Sequence, residues 1–232
     1  MYSHIIEIIL SWFQGETMPV KKVKYDKIRK EMLPGDVIAF GGKSHFSEII
    51  KFATLSSVSH VATILHTQVP DDKRYFNQVI ESTGHGGGVT ITRVSELLTH
   101  YNGDIWWLPL KKEIREKKFN QKEFFNFLFQ QAKEKKKYDV AQGVGSAIDI
   151  FDKLGQGFFG LGSNKEDFSK FFCSELVAAG LEKAGTVGSI NASEITPIEL
   201  CTWNIYEDQY YLLKGDIKTR IKHFNSKAPQ QS

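Results

Sequence analysis

The chain contains very little cysteine, which limits the covalent links and metal sites that could hold it together. Only Cys173 and Cys201 occur among 232 residues. A disulfide framework is therefore excluded, and a single bridge between these two residues is the most that could form. No C-x-x-C pair occurs, which argues against a cysteine-based zinc site. We predict no metal site and no cofactor.

Long hydrophobic runs are also missing. The apolar part of the N-terminal stretch MYSHIIEIILSWFQG is too short to span a membrane. The stretch also lacks the basic region and the small-residue cleavage site of a signal peptide, so we expect a cytoplasmic or non-classically exported protein. Read as a helix, it is apolar almost all round, with Ile5, Ile9, Trp12 and Phe13 among its apolar residues. We expect it to dock on its own domain or on a second copy in a homodimer, or else to contact lipid.

The chain shows no strong excess of either charge. Its net charge is +3, with 30 basic and 27 acidic residues, and nucleic acid is not an expected partner. The basic runs 21–30 and 133–137 are typical of a solvated face. A composition that is 41% hydrophobic and 25% charged indicates an ordinary globular protein with ample core.

Two glycine-containing segments resemble known motifs but are incomplete. Gly42-Lys43-Ser44 would end a phosphate-binding loop, yet that loop requires glycine where Val37 stands. His85-Gly86-Gly87-Gly88 resembles the oxyanion loop of esterases, but the chain has no G-x-S-x-G nucleophile motif. Nucleotide binding and serine-esterase chemistry are therefore disfavoured.

The order of apolar patterns predicts an α+β protein with an antiparallel sheet. Strands are predicted at Val37–Phe40, Ser59–His66, Phe76–Ser82, Val89–Val94, Ile105–Leu110 and Glu207–Leu213. Helices are predicted at Ser44–Leu55, Gln121–Lys135, Asp139–Leu154 and Phe172–Ala184. The third, fourth and fifth strands are expected to form a meander. Residues 1–30 are interpreted as a helix and basic connector, 31–217 as the main domain and 218–232 as a loose tail.

Cys173 lies where a helix is predicted to begin, in the segment FFCSELVAAG. It could pack in the core, bind a metal, form half of a disulfide or act as a nucleophile. A helix N-terminus lowers the pKa of a thiol, because unpaired amides and the helix dipole favour the thiolate. The Cys173 amide could also join an oxyanion hole. Cys201 matches no such pattern, and we interpret it as structural.

His60 and Glu81 strengthen the nucleophile interpretation. His60 lies in the strand Ser59–His66, and a rigid strand suits a general base that must stay aimed at a sulfur. Glu81 falls in the next predicted strand, and antiparallel neighbours can bring two such side chains together. A carboxylate beside an imidazole fixes its tautomer and stabilises the imidazolium. Cys173, His60 and Glu81 are therefore predicted to act as nucleophile, base and orienting group.

Five segments, in this order, resemble the circularly permuted branch of the NlpC-type cysteine peptidases, which is related to lecithin:retinol acyltransferase-like proteins. They are Leu33–Ile38, Ser59–Val61, Ile80–Ser82, Phe172–Val177 and Ile195–Leu200. The resemblance covers roughly residues 30 to 202 and implies a papain-like fold.

The resemblance also implies roles for individual residues. It assigns Cys173 as nucleophile, His60 as base and Glu81 as the third polar group. It implies an aromatic hydroxyl near the cysteine, for which Tyr138 is the best match, and Ser174 is a further candidate for the oxyanion or substrate site. No motif in this set calls for a metal.

The chemistry that follows is hydrolysis of an amide through an acyl-enzyme, and the resemblance makes a peptidoglycan stem peptide the leading substrate. The same thiol could instead serve a lipid acyltransferase or thioesterase, with Phe158 and Phe159 lining an apolar channel. A third possibility is a binding module that keeps the residues without catalysis.

Overall fold

A computed structural model describes residues 19–43, 47, 51, 55–68, 76–83, 88–134 and 172–231 of the chain. These residues form a mixed α+β fold, in which seven strands make one sheet with helices on both faces. The strands are β1 (Val20–Lys22), β2 (Val37–Gly42), β3 (His60–Gln68), β4 (Phe76–Thr83), β5 (Gly88–Arg93), β6 (Gly103–Leu108) and β7 (Tyr210–Lys214). The helices are α1 (Tyr25–Ile28), α2 (Val94–His100), α3 (Lys112–Lys117), α4 (Gln121–Lys133), α5 (Phe172–Lys183) and α6 (Pro197–Thr202).

The strands lie in the order β1-β7-β6-β2-β3-β4-β5, and every neighbouring pair is antiparallel except β1 and β7. The predicted meander holds for β4 and β5 but is wrong for the strand that follows them. β6 does not pair with β5; it pairs with β2, from Val37↔Leu108 to Gly42↔Gly103. Helix α2 separates β5 from β6 in the chain, and it packs against β4 and β5. The spacing of apolar residues along the chain does not indicate a crossover of this kind.

Alternation along the strands divides the core between the two faces of the sheet. On β3, Val61 and Leu65 belong to one apolar cluster, and Ala62 and Ile64 belong to the other. The first cluster is completed by α4, α5, α6 and the segments around them, and the second by α1, α2 and the turn after α1. The sheet is therefore covered on both sides, which explains the near-continuous apolar run of β2.

Helix α4 follows directly from its sequence. Asn120 caps it, because its side-chain oxygen accepts hydrogen bonds from the backbone N–H groups of Lys122 and Glu123, both at 3.2 Å. Phe124 and Leu128, four residues apart, are buried against the sheet and α5. The predicted helix Gln121–Lys135 is thus confirmed to within two residues. The predicted helix Asp139–Leu154 and most of Ser44–Leu55 lie outside the described residues.

The connector predicted before residue 30 contributes to the domain within its described part. Val20–Lys22 adds an edge strand parallel to β7, and Ile28 is buried in the second core cluster. The tail predicted to be loose is also packed. Ile221 donates its N–H to the Tyr210 hydroxyl at 3.0 Å, and the Lys227 N–H bonds to the Thr202 carbonyl at 2.9 Å. Hydrogen bonds from backbone N–H groups can hold a polar segment in place even when its sequence has no periodic pattern of apolar residues.

The last strand begins later than predicted. Glu207 lies before β7, where its side chain accepts the N–H of Lys112 at 2.7 Å and its own N–H bonds to the Pro109 carbonyl at 2.9 Å. In the part of the chain that the structure describes, no helix has the length and apolar character needed to cross a membrane.

Candidate active site

His60 is the first residue of β3 and is held by the neighbouring strand. It pairs with Phe40 of β2, and the Ser59 N–H bonds to the Phe40 carbonyl at 2.8 Å. The Phe40 ring lies against the imidazole, with centroids 5.3 Å apart. The imidazole is therefore buried and held between strands, as expected for a base that must stay aimed.

Glu81 contacts His60 as predicted from the two strands. His60 Nε2 donates to Glu81 Oε2 at 2.7 Å, and less than a tenth of either side chain is exposed. Strands β3 and β4 pair with Thr63 opposite Ile80, so the next position places Glu81 opposite Ala62. His60 is two residues from Ala62 on the same face of β3, and it is therefore the diagonal neighbour of Glu81. Since Glu81 engages Nε2, the nitrogen left over is Nδ1, which is buried and makes no hydrogen bond of ordinary geometry among the described residues.

Cys173 is the second residue of α5 and is completely buried. Its sulfur lies close enough to the His60 imidazole to raise the pKa of that residue. Helix α5 packs on β3 and β4, the two strands that carry His60 and Glu81. The structure thus brings together all three residues that the sequence pattern singled out, although Cys173 is more than 90 residues from either partner.

The imidazole is strongly biased towards its protonated form. Burial alone lowers the pKa of His60, because a buried charge loses its hydration. The Cys173 sulfur and the Glu81 carboxylate outweigh this effect and raise the pKa of His60 to about 10. A thiolate and an imidazolium stabilised by a carboxylate form the arrangement that activates a cysteine nucleophile.

Ser174 has a structural partner. Its hydroxyl donates to the Ile195 carbonyl at 2.5 Å, and both residues are buried. Because a serine hydroxyl has one proton, this bond uses it to hold the start of α5 against the segment before α6. The role of Ser174 at an oxyanion or substrate site stays a prediction. The other predicted hydroxyl, on Tyr138, lies outside the described residues.

Tyr101 is a site residue that the sequence did not reveal. Its ring packs on Phe40 with centroids 4.9 Å apart, and Ser59 acts on its pKa as a neighbouring polar group. Burial raises the pKa of Tyr101, and the negative charges of Glu81 and Cys173 raise it further, so the hydroxyl stays protonated. The residue lies in the short connection between α2 and β6, a place where an aromatic residue gives no functional signal.

The approach of Tyr101 depends on a close contact that only glycine allows. A Cβ atom on Gly42 would lie 2.8 Å from the Tyr101 hydroxyl and 2.3 Å from Ser47 Oγ. The Gly42 N–H in turn donates to Ser59 Oγ at 3.1 Å. From the other side, Lys214 Nζ donates to the carbonyls of Leu98 at 2.8 Å and Tyr101 at 2.7 Å, which fixes the end of α2.

Replacing Tyr101 with phenylalanine is expected to slow alkylation of Cys173 by iodoacetamide about three-fold. The change removes the polar interaction of the hydroxyl with Ser59, the residue before His60, and an interaction of this kind contributes at most about as much as a hydrogen bond, roughly 0.5–1.5 kcal/mol. Tyr101→Leu should slow the reaction further, because it also removes the packing on Phe40. Tyr211→Phe, at the far end of the sheet, is the matched control. Equal rates in the Tyr101→Phe protein and the parent would show that the hydroxyl does not position the site.

Cys201 forms no disulfide with Cys173; both are thiols. It is fully buried, and burial raises its pKa, with a further increase from the charge of Cys173. It therefore stays protonated and apolar in the core. Among the described residues, no group of three or more His, Cys, Asp or Glu side chains could hold a metal ion.

Comparisons with known proteins leave the chain without a family. No family model and no curated protein matches it. One solved structure that it resembles is described as the metalloprotein yiiX from Escherichia coli O157:H7, DUF1105. The identity is 17%, the TM-score is 0.40, and the match covers 87% of this chain and 99% of the other. Likeness at this level supports no transfer of function.

Proposed function

We propose that this protein is a cysteine hydrolase that cleaves amide bonds through an acyl-enzyme. The observation that carries the proposal is the buried His60–Glu81 hydrogen bond of 2.7 Å, on an imidazole that interacts with the Cys173 thiol. A histidine buried with a carboxylate and a thiol at a helix start has no evident structural purpose. An apolar trio would pack there at lower desolvation cost.

The proposed reaction begins with attack of the Cys173 thiolate on the amide carbonyl carbon. The backbone N–H of Cys173, in the first turn of α5, donates to the oxyanion that forms. The His60 imidazolium then gives its proton to the amide nitrogen, the C–N bond breaks and the amine leaves. Glu81 stabilises the imidazolium before this step and keeps the ring oriented after it.

The second half of the reaction restores the site. Neutral His60 takes a proton from water, and the resulting hydroxide attacks the thioester carbonyl. The C–S bond breaks, the acyl group leaves as a carboxylic acid, and the thiolate–imidazolium pair returns. The cycle consumes one water and needs no redox partner.

We further propose that the domain is a circularly permuted papain-like fold and that the substrate is a peptidoglycan stem peptide. Support for the permutation is the chain order, in which the strands of His60 and Glu81 precede the helix of Cys173 and pack against it. Support for the substrate is the sequence resemblance alone. A lipid acyltransferase would use the same thiol, so the substrate test includes both classes.

The test is to incubate the full chain with purified peptidoglycan fragments and, in parallel, with vesicles of phosphatidylcholine. New primary amines are measured with an amine-reactive dye, and acyl adducts on Cys173 are measured by intact mass after acid quench. We expect amine release and a transient peptidyl adduct, both absent in Cys173→Ala. A fatty-acyl adduct from the vesicles without amine release would favour the acyltransferase. If neither substrate gives an adduct, the proposal loses its support.

A further inference from the structure

A cavity of about 510 Å³ lies beside α6, outside the catalytic trio. Its volume suits a small ligand or one or two residues of a peptide. Apolar side chains from the loop before β3 and from α6 line part of it, and titratable groups line the rest. Its lining includes Leu55, Ile198, Glu199, Lys222, His223 and Lys227.

The titratable groups give the cavity an excess of positive charge. Lys222 and Lys227 contribute two ammonium groups and His223 an imidazole, against the single carboxylate of Glu199. Burial raises the pKa of Glu199, and the positive charge of the neighbouring Lys227 opposes this increase only in part. Lys222 is exposed and has no salt bridge within the described chain. An anionic group would therefore find an uncompensated cation at the rim.

The cationic side of the cavity is held in place by backbone hydrogen bonds. The Asn225 N–H bonds to the Cys201 carbonyl at 3.3 Å, and the Asn204 N–H bonds to the Lys227 carbonyl at 2.7 Å. The three non-glycine residues that the described chain places in the left-handed region are Leu55 (φ 48°), His223 (φ 54°) and Asn225 (φ 57°). Two of them line the cavity and the third lies between its basic residues. Conformations of this kind persist where surrounding structure enforces them, and they cluster at binding sites.

The cavity is bounded by the loop that precedes the strand of the base and by α6, the helix that follows the helix of the nucleophile. Leu55 lies five residues before His60 on the chain. Ile198 belongs to α6, which follows Ile195, and Ile195 accepts the hydrogen bond from Ser174 next to Cys173. A substrate bound at Cys173 and extended along α6 would meet the cations of this cavity.

We propose that this cavity is a subsite of the hydrolase that binds a carboxylate of the peptide substrate. The proposal rests on the proposed function, because a subsite needs a reaction to serve. Leu55 and Ile198 contact the apolar part of that substrate residue, and Lys222 and Lys227 contact its carboxylate. A free amine at this position would be repelled by the same cations, so the substrate carries its negative charge on this side of the scissile bond.

The test uses the full chain with Cys173→Ala, so that binding is measured without turnover. Two probes differ in one charge: N-acetyl-alanyl-alanine and its C-terminal amide. Each is titrated into isotope-labelled protein, and the amide resonances of residues 222–227 and of α6 report binding. We expect the carboxylate probe to bind about five-fold more tightly than the amide, the effect of two partly exposed charge contacts. The preference should disappear in Lys222→Gln/Lys227→Gln.

The control is Lys112→Gln/Lys117→Gln, two exposed lysines of α3, which should keep the preference. Equal binding of the two probes by the parent, or an unchanged preference in Lys222→Gln/Lys227→Gln, would overturn the subsite. Binding of inorganic phosphate without discrimination between the peptides would also overturn it, in favour of a phosphate site. This outcome can be distinguished from failure of the proposed function. If the Cys173→Ala protein prefers the carboxylate probe but Cys173 of the parent proves unreactive, the hydrolase is contradicted. The charge preference of the cavity then still stands.

Discussion

Replacing His60 with alanine is expected to slow alkylation of Cys173 by iodoacetamide at pH 7 by at least about thirty-fold. The proposed reaction pairs the Cys173 sulfur with the His60 imidazolium, and a thiol without such a cation reacts slowly. An ordinary cysteine, with a pKa near 8.5, is only about 3% ionised at this pH. Removal of His60 leaves a buried thiol without its cation, and burial disfavours the thiolate further. The measurement is the second-order rate of adduct formation by intact mass.

The matched control for this prediction lies on the same strand. His66 is a half-buried β3 residue whose ring meets Phe125 at 6.2 Å, away from the thiol. His66→Ala should leave the alkylation rate within about two-fold of the parent. Glu81→Gln should give an intermediate rate, since glutamine still accepts from Nε2 but no longer stabilises the imidazolium by charge. A rate that is the same in His60→Ala and the parent would exclude the proposed pair.

The protonation state of His60 can be followed directly by titration. The sign of its effect on stability follows from the direction of its pKa shift. The pKa of His60, about 10 in the folded protein, is above the value of about 6.5 in an unfolded chain. The folded state therefore binds this proton more tightly. The resulting stabilisation is fully present below about pH 6.5 and is lost as the pH rises through about 10. A ¹³C NMR titration of the imidazole should show protonation at pH 7 and a lower pKa in Cys173→Ala, which lacks the Cys173 sulfur.

Replacing Asp36 with alanine is expected to reduce the free energy of unfolding by about 3–5 kcal/mol, the usual loss when a buried ion pair is broken on one side. Asp36 is 1% exposed and forms a salt bridge with Arg115. Its two oxygens also accept from the Leu33 N–H at 2.9 Å, the Trp107 Nε1–H at 2.9 Å and the Leu110 N–H at 3.0 Å. The alanine leaves these donors and the guanidinium without their acceptor.

Urea denaturation at pH 7 measures this loss, and two further variants test its cause. Asp26→Ala removes an exposed carboxylate 3.9 Å from Arg29 and should cost less than about 1 kcal/mol. Asp36→Ala/Arg115→Met removes both charges and should be no less stable than Asp36→Ala alone, because the guanidinium is no longer stranded. If Asp36→Ala unfolds at the same urea concentration as the parent, the buried pair does not stabilise this fold.

The sequence predicted most elements because their periodicity is local. Strand β2 shows a short apolar run after a Pro-Gly-Asp turn, and α4 shows a capping Asn120 followed by Phe124 and Leu128 on one side. These signals depend on neighbours within a turn or a pleat, so they can be found without knowing the fold. The trio of Cys173, His60 and Glu81 was accessible too, since Cys173 lies at a predicted helix start, and His60 and Glu81 are polar residues within otherwise apolar strands.

Tertiary structure alone decided the rest. The place of β6 beside β2 depends on a crossover, and the packing of the C-terminal segment depends on backbone bonds to residues around α6, neither of which has a sequence period. Tyr101 entered the site because Gly42 lets its hydroxyl approach and Lys214 holds the end of its helix from 113 residues away. The sequence therefore determined which side chains are available for the proposed reaction. Their arrangement, and the groups that hold them, were determined by long-range pairing whose energy is realised only in the folded chain.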